Sequence, residues 1–96
     1  MITMSETQER FFAELQAHYP RLEQFWDREA REFRDEAAED ALGRLSPGEA
    51  VVLKALASIW LGCAHSAYQL DLTDLAALSP EWRKPLVEWL QTPFWP

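Results

Sequence analysis

The segment Ser46-Pro47-Gly48-Glu49, followed at once by an apolar run, is the feature that most restricts how this chain folds. Serine is a preferred N-cap, proline suits the first helical position, and glutamate three residues after serine completes a capping box. The run Val51–Leu61 is apolar on nearly all sides of a helix. Such a helix is usually central and covered on several faces. We therefore predict a third helix, ending at about His65 or Tyr68, with other helices around it.

Two further helices are predicted before this one. The first starts at Ser5, runs to about Ala17 and is stopped by Pro20. The second runs from about Arg21 to about Leu42, because its apolar residues recur with a period near 3.6. These apolar residues are Leu22, Phe25, Trp26, Ala30, Phe33, Ala37 and Ala41.

The C-terminal part predicts a short helical turn and a last helix. Asp71 or Thr73 is a suitable cap for a turn through Leu78. Ser79-Pro80 is a second possible helix start, but Pro85 would then lie inside the helix and cost about 3 kcal/mol. We therefore favour a turn at Ser79–Lys84 and a last helix from Pro85 to about Gln91.

Together these elements predict one all-α domain over residues 1–96, a small bundle of four main helices plus one short helical turn, with the third helix central. Its length suits one domain rather than two. The predicted core contacts bring together Phe12, Leu15, Phe25, Trp26, Phe33, Leu53, Leu56, Trp60, Leu86 and Trp89.

The net charge of the chain limits the classes of partner that it is expected to bind. The chain carries a net charge of −7, and eleven of its 16 acids lie in residues 1–45. Direct binding of nucleic acid requires a basic surface, and so does binding to an anionic membrane. We therefore expect neither partner.

The residues that could carry chemistry do not form a recognisable motif. Cys63, His65 and His18 are the only thiol or imidazole groups, and Cys63 and His65 point to different faces of a helix. A structural zinc site needs about four ligands. We therefore expect no metal, no cofactor and no catalytic residue, and a protein that is not an enzyme. A single cysteine and an N-terminus without a signal-peptide core predict a reduced thiol and a cytoplasmic location.

A strip of carboxylates is the first candidate for partner binding. Its predicted members on the second helix are Glu29, Glu32, Asp35, Glu36, Glu39 and Asp40. Like charges four residues apart, near a helix C-terminus, cost a few tenths of a kcal/mol each. The strip is either a solvated face that aids solubility or a docking surface for a basic protein.

The C-terminal Pro93–Pro96 is the second candidate, because Phe94 and Trp95 stand between two prolines. One interpretation folds both rings onto the third helix, where they complete the core. The other leaves residues 93–96 as an exposed aromatic tail that anchors another chain, since aromatic residues are enriched in interface hot spots.

The block from Gly48 to Leu90 resembles short uncharacterised bacterial proteins encoded on plasmids and other mobile elements. The pattern has a glycine-led apolar helix, a break at Gly62, the pentapeptide Asp71–Leu75 and a final helix. The chain departs from it in the residues that follow Gly62 and in its tryptophan-rich end. The resemblance implies a bacterial or mobile-element origin and assigns no activity.

Two functions remain as hypotheses. The first is a small, non-catalytic protein–protein interaction module of unknown pathway that uses apolar and tryptophan-bearing surface, with a homodimer left open. The second is an acidic inhibitor or nucleic-acid mimic that binds a basic bacterial protein through the carboxylate strip. Binding that weakens steeply with salt would favour the second.

Overall fold

The computed structural model describes residues 6–62 and 65–96, and this part of the chain is mostly helical. Within these ranges lie five α-helices, α1 (Glu6–His18), α2 (Asp35–Ala41), α3 (Pro47–Leu61), α4 (Leu72–Ala76) and α5 (Pro80–Gln91). Two 3₁₀ helices span Pro20–Phe25 and Ser66–Tyr68, and two strands, β1 (Trp26–Asp27) and β2 (Glu32–Phe33), pair antiparallel. The predominance of helix is confirmed, whereas the all-α prediction is wrong because of this small sheet. The bundle around a central α3 stays a prediction.

The predicted long second helix does not exist. The segment from Pro20 to Ala41 forms a 3₁₀ helix, a β-hairpin and the short helix α2. In the hairpin Trp26 is opposite Phe33, and the two rings lie 4.8 Å apart between centroids. In a continuous α-helix, seven residues of rise would separate them by about 10 Å. The hairpin therefore brings two large aromatic rings together that a helix would hold two turns apart.

The Asp27 side chain supports the hairpin loop by accepting hydrogen bonds from the backbone. One carboxylate oxygen of Asp27 accepts from the backbone N–H groups of Glu29 and Ala30, both at 3.1 Å. Short polar side chains that bond their own backbone in this way favour turns over helices. Arg31 completes the loop at φ 55°, in the left-handed region that non-glycine residues rarely adopt. The loop thus holds one unfavourable backbone conformation in order to reverse the chain.

The start of α3 follows the sequence prediction. The Ser46 side chain accepts from the Glu49 backbone N–H, and the Glu49 carboxylate accepts from the Ser46 backbone N–H. Glu49 is buried and also lies 3.5 Å from an Arg21 guanidinium nitrogen. Hydrogen bonding to Ser46 holds the pKa of the Glu49 carboxyl below its ordinary value. The capping box is confirmed. Through its contact with Arg21, Glu49 also joins the 3₁₀ helix Pro20–Phe25 to α3.

The end of α3 comes earlier than predicted. The helix ends at Leu61, because Gly62 adopts the left-handed conformation with φ 70° and its N–H bonds to the Ser58 carbonyl. Glycine is the usual residue at such a helix end, since it lacks the Cβ that would clash. The predicted extension to His65 or Tyr68 is wrong. Cys63, predicted as a buried reduced thiol, lies outside the described residues, as does Ser5, the predicted start of the first helix.

The last helix begins at Pro80 and contains Pro85, so the favoured start at Pro85 is wrong. The Ser79 side chain caps α5 by accepting from the Trp82 N–H. Pro85 has no N–H to donate to the Glu81 carbonyl, but its own side chain is buried. The buried Tyr19 hydroxyl donates to the next carbonyl, that of Trp82, at 2.5 Å and so holds α5 against the residue that follows α1. Burial of Pro85 partly offsets the cost of the missing helical hydrogen bond.

The core agrees with the predicted contact set. Seven of the ten predicted residues are buried in one cluster, and Phe33, Trp60 and Trp89 pack against it as partly buried side chains. The aromatic rings concentrate where α1, the hairpin and α3 meet, with Phe11 5.4 Å from Trp26 and 5.2 Å from Trp60. The helix predicted by the DLTDL segment is also present, with Asp71 as its cap.

Candidate interaction groove

An apolar groove of about 420 Å³ opens between α3 and α5. Its volume lies within the range of about 300–1,000 Å³ that is typical of binding sites. On the α3 side it is lined by Ala55, Ser58, Ile59 and Gly62. Ala55, Ser58 and Ile59 follow the spacing i, i+3 and i+4 on one face of α3, and Gly62 is the left-handed residue just after its end. Apart from Ile59, these residues have small side chains or none.

The opposite wall belongs to α5. Leu86, Trp89 and Leu90 line the groove at i, i+3 and i+4. Leu86 is buried and Trp89 is half-buried, whereas Leu90 is 61% exposed. The wall thus passes from the core at Leu86 to open solvent at Leu90. Leu90 therefore extends the apolar lining of the groove to the surface of the protein.

The remaining boundary comes from the connection after α3 and from the chain end. Leu75 of α4 and the residues around Tyr68 lie on one side, and Trp95 lies beside Trp89. The Trp89 and Trp95 rings meet edge to face with centroids 5.1 Å apart, and Trp95 is 57% exposed. Leu90 and Trp95 therefore present two large apolar side chains to solvent at one groove.

Several polar atoms of the lining residues already have partners. The Ser58 hydroxyl donates to the Lys54 carbonyl at 2.9 Å, and the Trp89 indole N–H donates to the Phe94 carbonyl at 2.8 Å. The His65 Nδ1 atom accepts from the Ala67 N–H at 3.2 Å. None of the lining residues that the structure describes is Asp, Glu, Lys or Arg. The groove is therefore mainly apolar, and the exposed side chains of Gln69 and His65 are polar groups of its lining.

Tyr68 connects the groove to the acidic part of the chain. It is buried, and its hydroxyl donates to the Asp35 carboxylate in the first turn of α2. Burial, followed by this hydrogen bond and the negative charge of Asp35, raises the pKa of the Tyr68 hydroxyl. Tyr68 therefore stays a neutral donor. Its hydrogen bond to Asp35 connects the 3₁₀ helix Ser66–Tyr68, at the groove, to α2.

The six predicted carboxylates do not share one helix face. Glu29 lies in the hairpin loop and Glu32 in β2, while the other four lie in α2. All six residues are exposed. Their placement on one continuous helix is wrong, because the chain reverses between Asp27 and Glu32 in the hairpin.

The electrostatic cost inferred for these acids is also smaller than predicted. Asp35 and Glu36 occupy the first turn of α2, where the backbone N–H groups favour negative charge, and not the end of a long helix. Asp35 accepts from Tyr68, and Asp40 accepts from Arg44 at 2.7 Å. Asp35–Glu39 and Glu36–Asp40 remain like-charge pairs within α2, whereas Glu32 belongs to another element.

The C-terminal aromatic residues have different environments. Phe94 is half-buried, packs against the core, and lies under the guanidinium of Arg10 at 4.3 Å from its ring centroid. Trp95 is exposed at the groove. Phe94 thus folds back onto the core, where it meets Arg10 of α1 and Trp89 of α5, while Trp95 is exposed at the groove.

Residues 6–62 and 65–96 lack the features of two other kinds of site. In these ranges there is no group of three or more His, Cys, Asp or Glu side chains arranged to hold a metal ion. No helix in the same ranges combines the length and apolar character needed to cross a bilayer.

The sequence pattern did not reveal the groove. Leu86 and Trp89 were predicted as core residues, and no prediction was made for Leu90. The structure places all three at the groove, with Gly62 and Leu75 also in its lining. The exposed Trp95 was identified from the sequence, but its neighbour Leu90 was not.

No protein-family model, no curated protein sequence and no solved structure matches this chain. The resemblance of Gly48–Leu90 to mobile-element proteins therefore stays a prediction, and functional inference depends on the geometry of the chain itself.

Proposed function

We propose that this protein is a small, non-catalytic protein–protein interaction module that receives an apolar segment of another protein in the groove between α3 and α5. The observation that carries the proposal is the exposure of Leu90 at 61% and Trp95 at 57% beside a groove whose described lining has no charged side chain. Covering these side chains with an apolar partner removes apolar surface from water at about 25 cal/mol per Å².

The geometry favours this function over an acidic inhibitor. The acidic hypothesis depended on a continuous strip along one helix, and the hairpin interrupts that strip. Two of its carboxylates are engaged by Tyr68 and Arg44. Exposed carboxylates are well hydrated, whereas tryptophan is enriched in binding hot spots and Trp95 is 57% exposed at the groove.

Affinity capture with two matched variants tests the proposal. Leu90→Lys places an ammonium group at the groove, whereas Val87→Lys adds the same charge on the same helix at a side chain that is 41% exposed and does not line the groove. We expect the wild-type chain and Val87→Lys to retain the same protein from a lysate. We expect Leu90→Lys to lose it, because a buried ammonium group without a partner is costly.

Two further readouts decide between the alternatives. Circular dichroism establishes that both variants fold, and capture at about 0.05 and 0.5 M salt measures the electrostatic part. Equal retention by Leu90→Lys and Val87→Lys would contradict the groove as the binding surface. Retention that disappears at high salt in both variants, and that depends on Glu36 and Glu39, would favour the acidic surface.

A further inference from the structure

Residues 69–77 form a strap between two buried side chains. Tyr68 is buried before the strap and Leu78 is buried after it, whereas each residue of the strap is exposed or half-buried. The strap contains α4, which has five residues. Because so short a helix is not stable by itself in water, the strap depends on its attachments for a fixed position.

The two ends of the strap are attached to other elements. The Tyr68 hydroxyl donates to the Asp35 carboxylate, and the Tyr68 ring lies 5.6 Å from that of Phe33 between centroids. At the other end, a methyl group of Leu78 lies next to Gly48 in the first turn of α3. The ends are therefore fixed by burial on both sides of α4.

The middle of the strap has weaker attachments. Leu75 is half-buried and packs against the core, while Leu72, three residues earlier, is 80% exposed. An exposed hydrogen bond joins α4 to α5, because Arg83 Nη1 donates to the Ala76 carbonyl at 3.1 Å. Water competes for such a bond, so its net contribution is small. One half-buried leucine and one exposed hydrogen bond thus hold α4 against the rest of the fold.

Other hydrogen bonds of α4 keep it helical without attaching it to a neighbour. The Asp71 carboxylate accepts from the Asp74 N–H at 3.1 Å, and the Asp74 carboxylate accepts from the Asp71 N–H at 3.2 Å. The Thr73 hydroxyl also donates to Asp71. These bonds connect residues of the strap to one another, so they persist when the strap moves as a unit.

We infer that the strap is a lid at one side of the groove, which opens and closes while the rest of the chain stays folded. Opening separates Leu75 from the core and the Ala76 carbonyl from Arg83, whereas Tyr68 and Leu78 stay buried at the two hinges. Segments with few buried apolar contacts and exposed hydrogen bonds open at a lower free energy than the whole protein unfolds.

Opening of the strap changes the groove. Gln69, Leu70 and Leu75 belong to the groove lining, so an open strap withdraws one of its walls. A partner that contacts this wall binds the closed state and holds the strap closed. The opening is a property of the chain alone, and only this consequence for partner binding rests on the proposed function.

Amide hydrogen exchange measured by NMR tests the opening. The Ala77 N–H bonds to the Thr73 carbonyl at 3.1 Å and reports on the strap, while the amide of the buried Leu56 reports on α3. We expect the Ala77 amide to be protected, but at least about tenfold less than that of Leu56. Its exchange should change little with urea below the unfolding transition, because a local opening exposes little surface.

Two outcomes of this measurement would overturn the inference. Exchange at Ala77 with the same rate and urea dependence as at Leu56 would mean that the strap opens only when the whole chain unfolds. An Ala77 amide without protection would mean that the strap has no closed state.

Two leucines of α4 provide a matched pair of variants. Leu75→Ala removes the half-buried side chain, and Leu72→Ala makes the same change at an exposed position. We expect Leu75→Ala to accelerate exchange at Ala77 at least about fivefold and Leu72→Ala less than about twofold. Equal effects would show that Leu75 does not hold the strap and would overturn the inference.

A second pair keeps the test decisive if Leu75→Ala destabilises the whole chain. Arg83→Gln removes the donor to the Ala76 carbonyl, and Lys84→Gln removes the same charge from the next residue of α5. We expect exchange at Ala77 to accelerate at least about threefold in Arg83→Gln and to stay within about 1.5-fold of wild type in Lys84→Gln. Equal rates in these two variants would contradict the lid.

The lid and the proposed function fail separately. If both pairs of variants exchange alike while the capture difference between Leu90→Lys and Val87→Lys persists, only the lid is wrong. If the capture difference is absent but Ala77 exchanges as expected, the strap opens and the proposed function is wrong.

Discussion

The segments Pro20–Ala41 and Pro47–Leu61 were both predicted to be α-helical but fold differently. Pro47–Leu61 is one continuous α-helix, whereas Pro20–Ala41 is divided into a 3₁₀ helix, a hairpin and α2. The first has a capping box at one end and a left-handed glycine at the other. The second has Asp27, whose carboxylate satisfies loop amides, in the middle of its apolar pattern. Periodicity therefore predicts a buried face, while local hydrogen-bonding groups decide whether one helix carries it.

The largest expected loss of stability concerns the Trp26–Phe33 ring pair that the hairpin brings together. Trp26→Ala removes a buried side chain that contacts Phe11, Phe33 and Trp60. We expect a loss of about 3–5 kcal/mol in the free energy of unfolding, measured by urea denaturation. Trp95→Ala is the matched control and should cost less than about 1 kcal/mol, because Trp95 is 57% exposed.

A second variant keeps the Trp26 test informative if Trp26→Ala does not fold. The Trp26 indole N–H is buried without an acceptor in the part of the chain that the structure describes. Trp26→Phe therefore loses no hydrogen bond there and should cost less than half as much as Trp26→Ala. Equal stability of Trp26→Ala and Trp95→Ala would mean that the hairpin contact does not stabilise the fold.

A smaller loss of stability is expected when the polar side chain that caps α3 or the one that supports the hairpin loop is removed. Ser46→Ala removes the N-cap of α3, and Asp27→Ala removes the acceptor of the Glu29 and Ala30 amides in the loop. We expect each substitution to cost about 1 kcal/mol in thermal or chemical denaturation. An Asp27→Ala variant as stable as the wild type would show that the loop forms without its side-chain acceptor, and the comparison would lose its physical basis.

The smallest expected effect is a gain in stability rather than a loss. Arg31→Gly removes the Cβ from a residue at φ 55°, and we expect the free energy of unfolding to rise by about 0.5 kcal/mol. Arg28→Gly is the control with the same change of residue and charge at a position without positive φ, and it should destabilise the protein through added backbone entropy. Destabilisation by both variants would indicate that contacts of the Arg31 side chain outweigh its backbone strain.

Local chemistry explains which parts of the fold were predictable. Ser46, Asp71 and Gly62 act on backbone groups within a few residues, and the first two were recognised as caps. The core set was also recognised, because spacing alone identifies which apolar residues share a face. Pro85 misled the prediction for α5, since its cost was judged without the burial of its side chain against residues such as Leu15 and Tyr19. Those neighbours are distant in sequence and become visible only in three dimensions.

The candidate site was predictable only in part, and for the same reason. Trp95 was identified because an aromatic residue between prolines at a chain end is conspicuous in sequence. Leu90 was not identified, because exposure depends on what lies opposite a side chain. The carboxylates were placed on one strip because a helix was assumed from Glu29 to Asp40, and the reversal at Arg31 removes that assumption.

The sequence by itself determined the helical character, the caps of α3 and α4, the membership of the core and the acidic charge, because each depends on residue type and short spacing. The tertiary structure alone decided how the hairpin rings pack against α1 and α3, that Pro85 is tolerated inside α5, and the groove that leaves Leu90 and Trp95 in solvent. These features arise from contacts between residues far apart in the chain, such as Tyr19 with Trp82 and Tyr68 with Asp35. Their free energy is gained only when the whole chain is folded, so no local pattern encodes them.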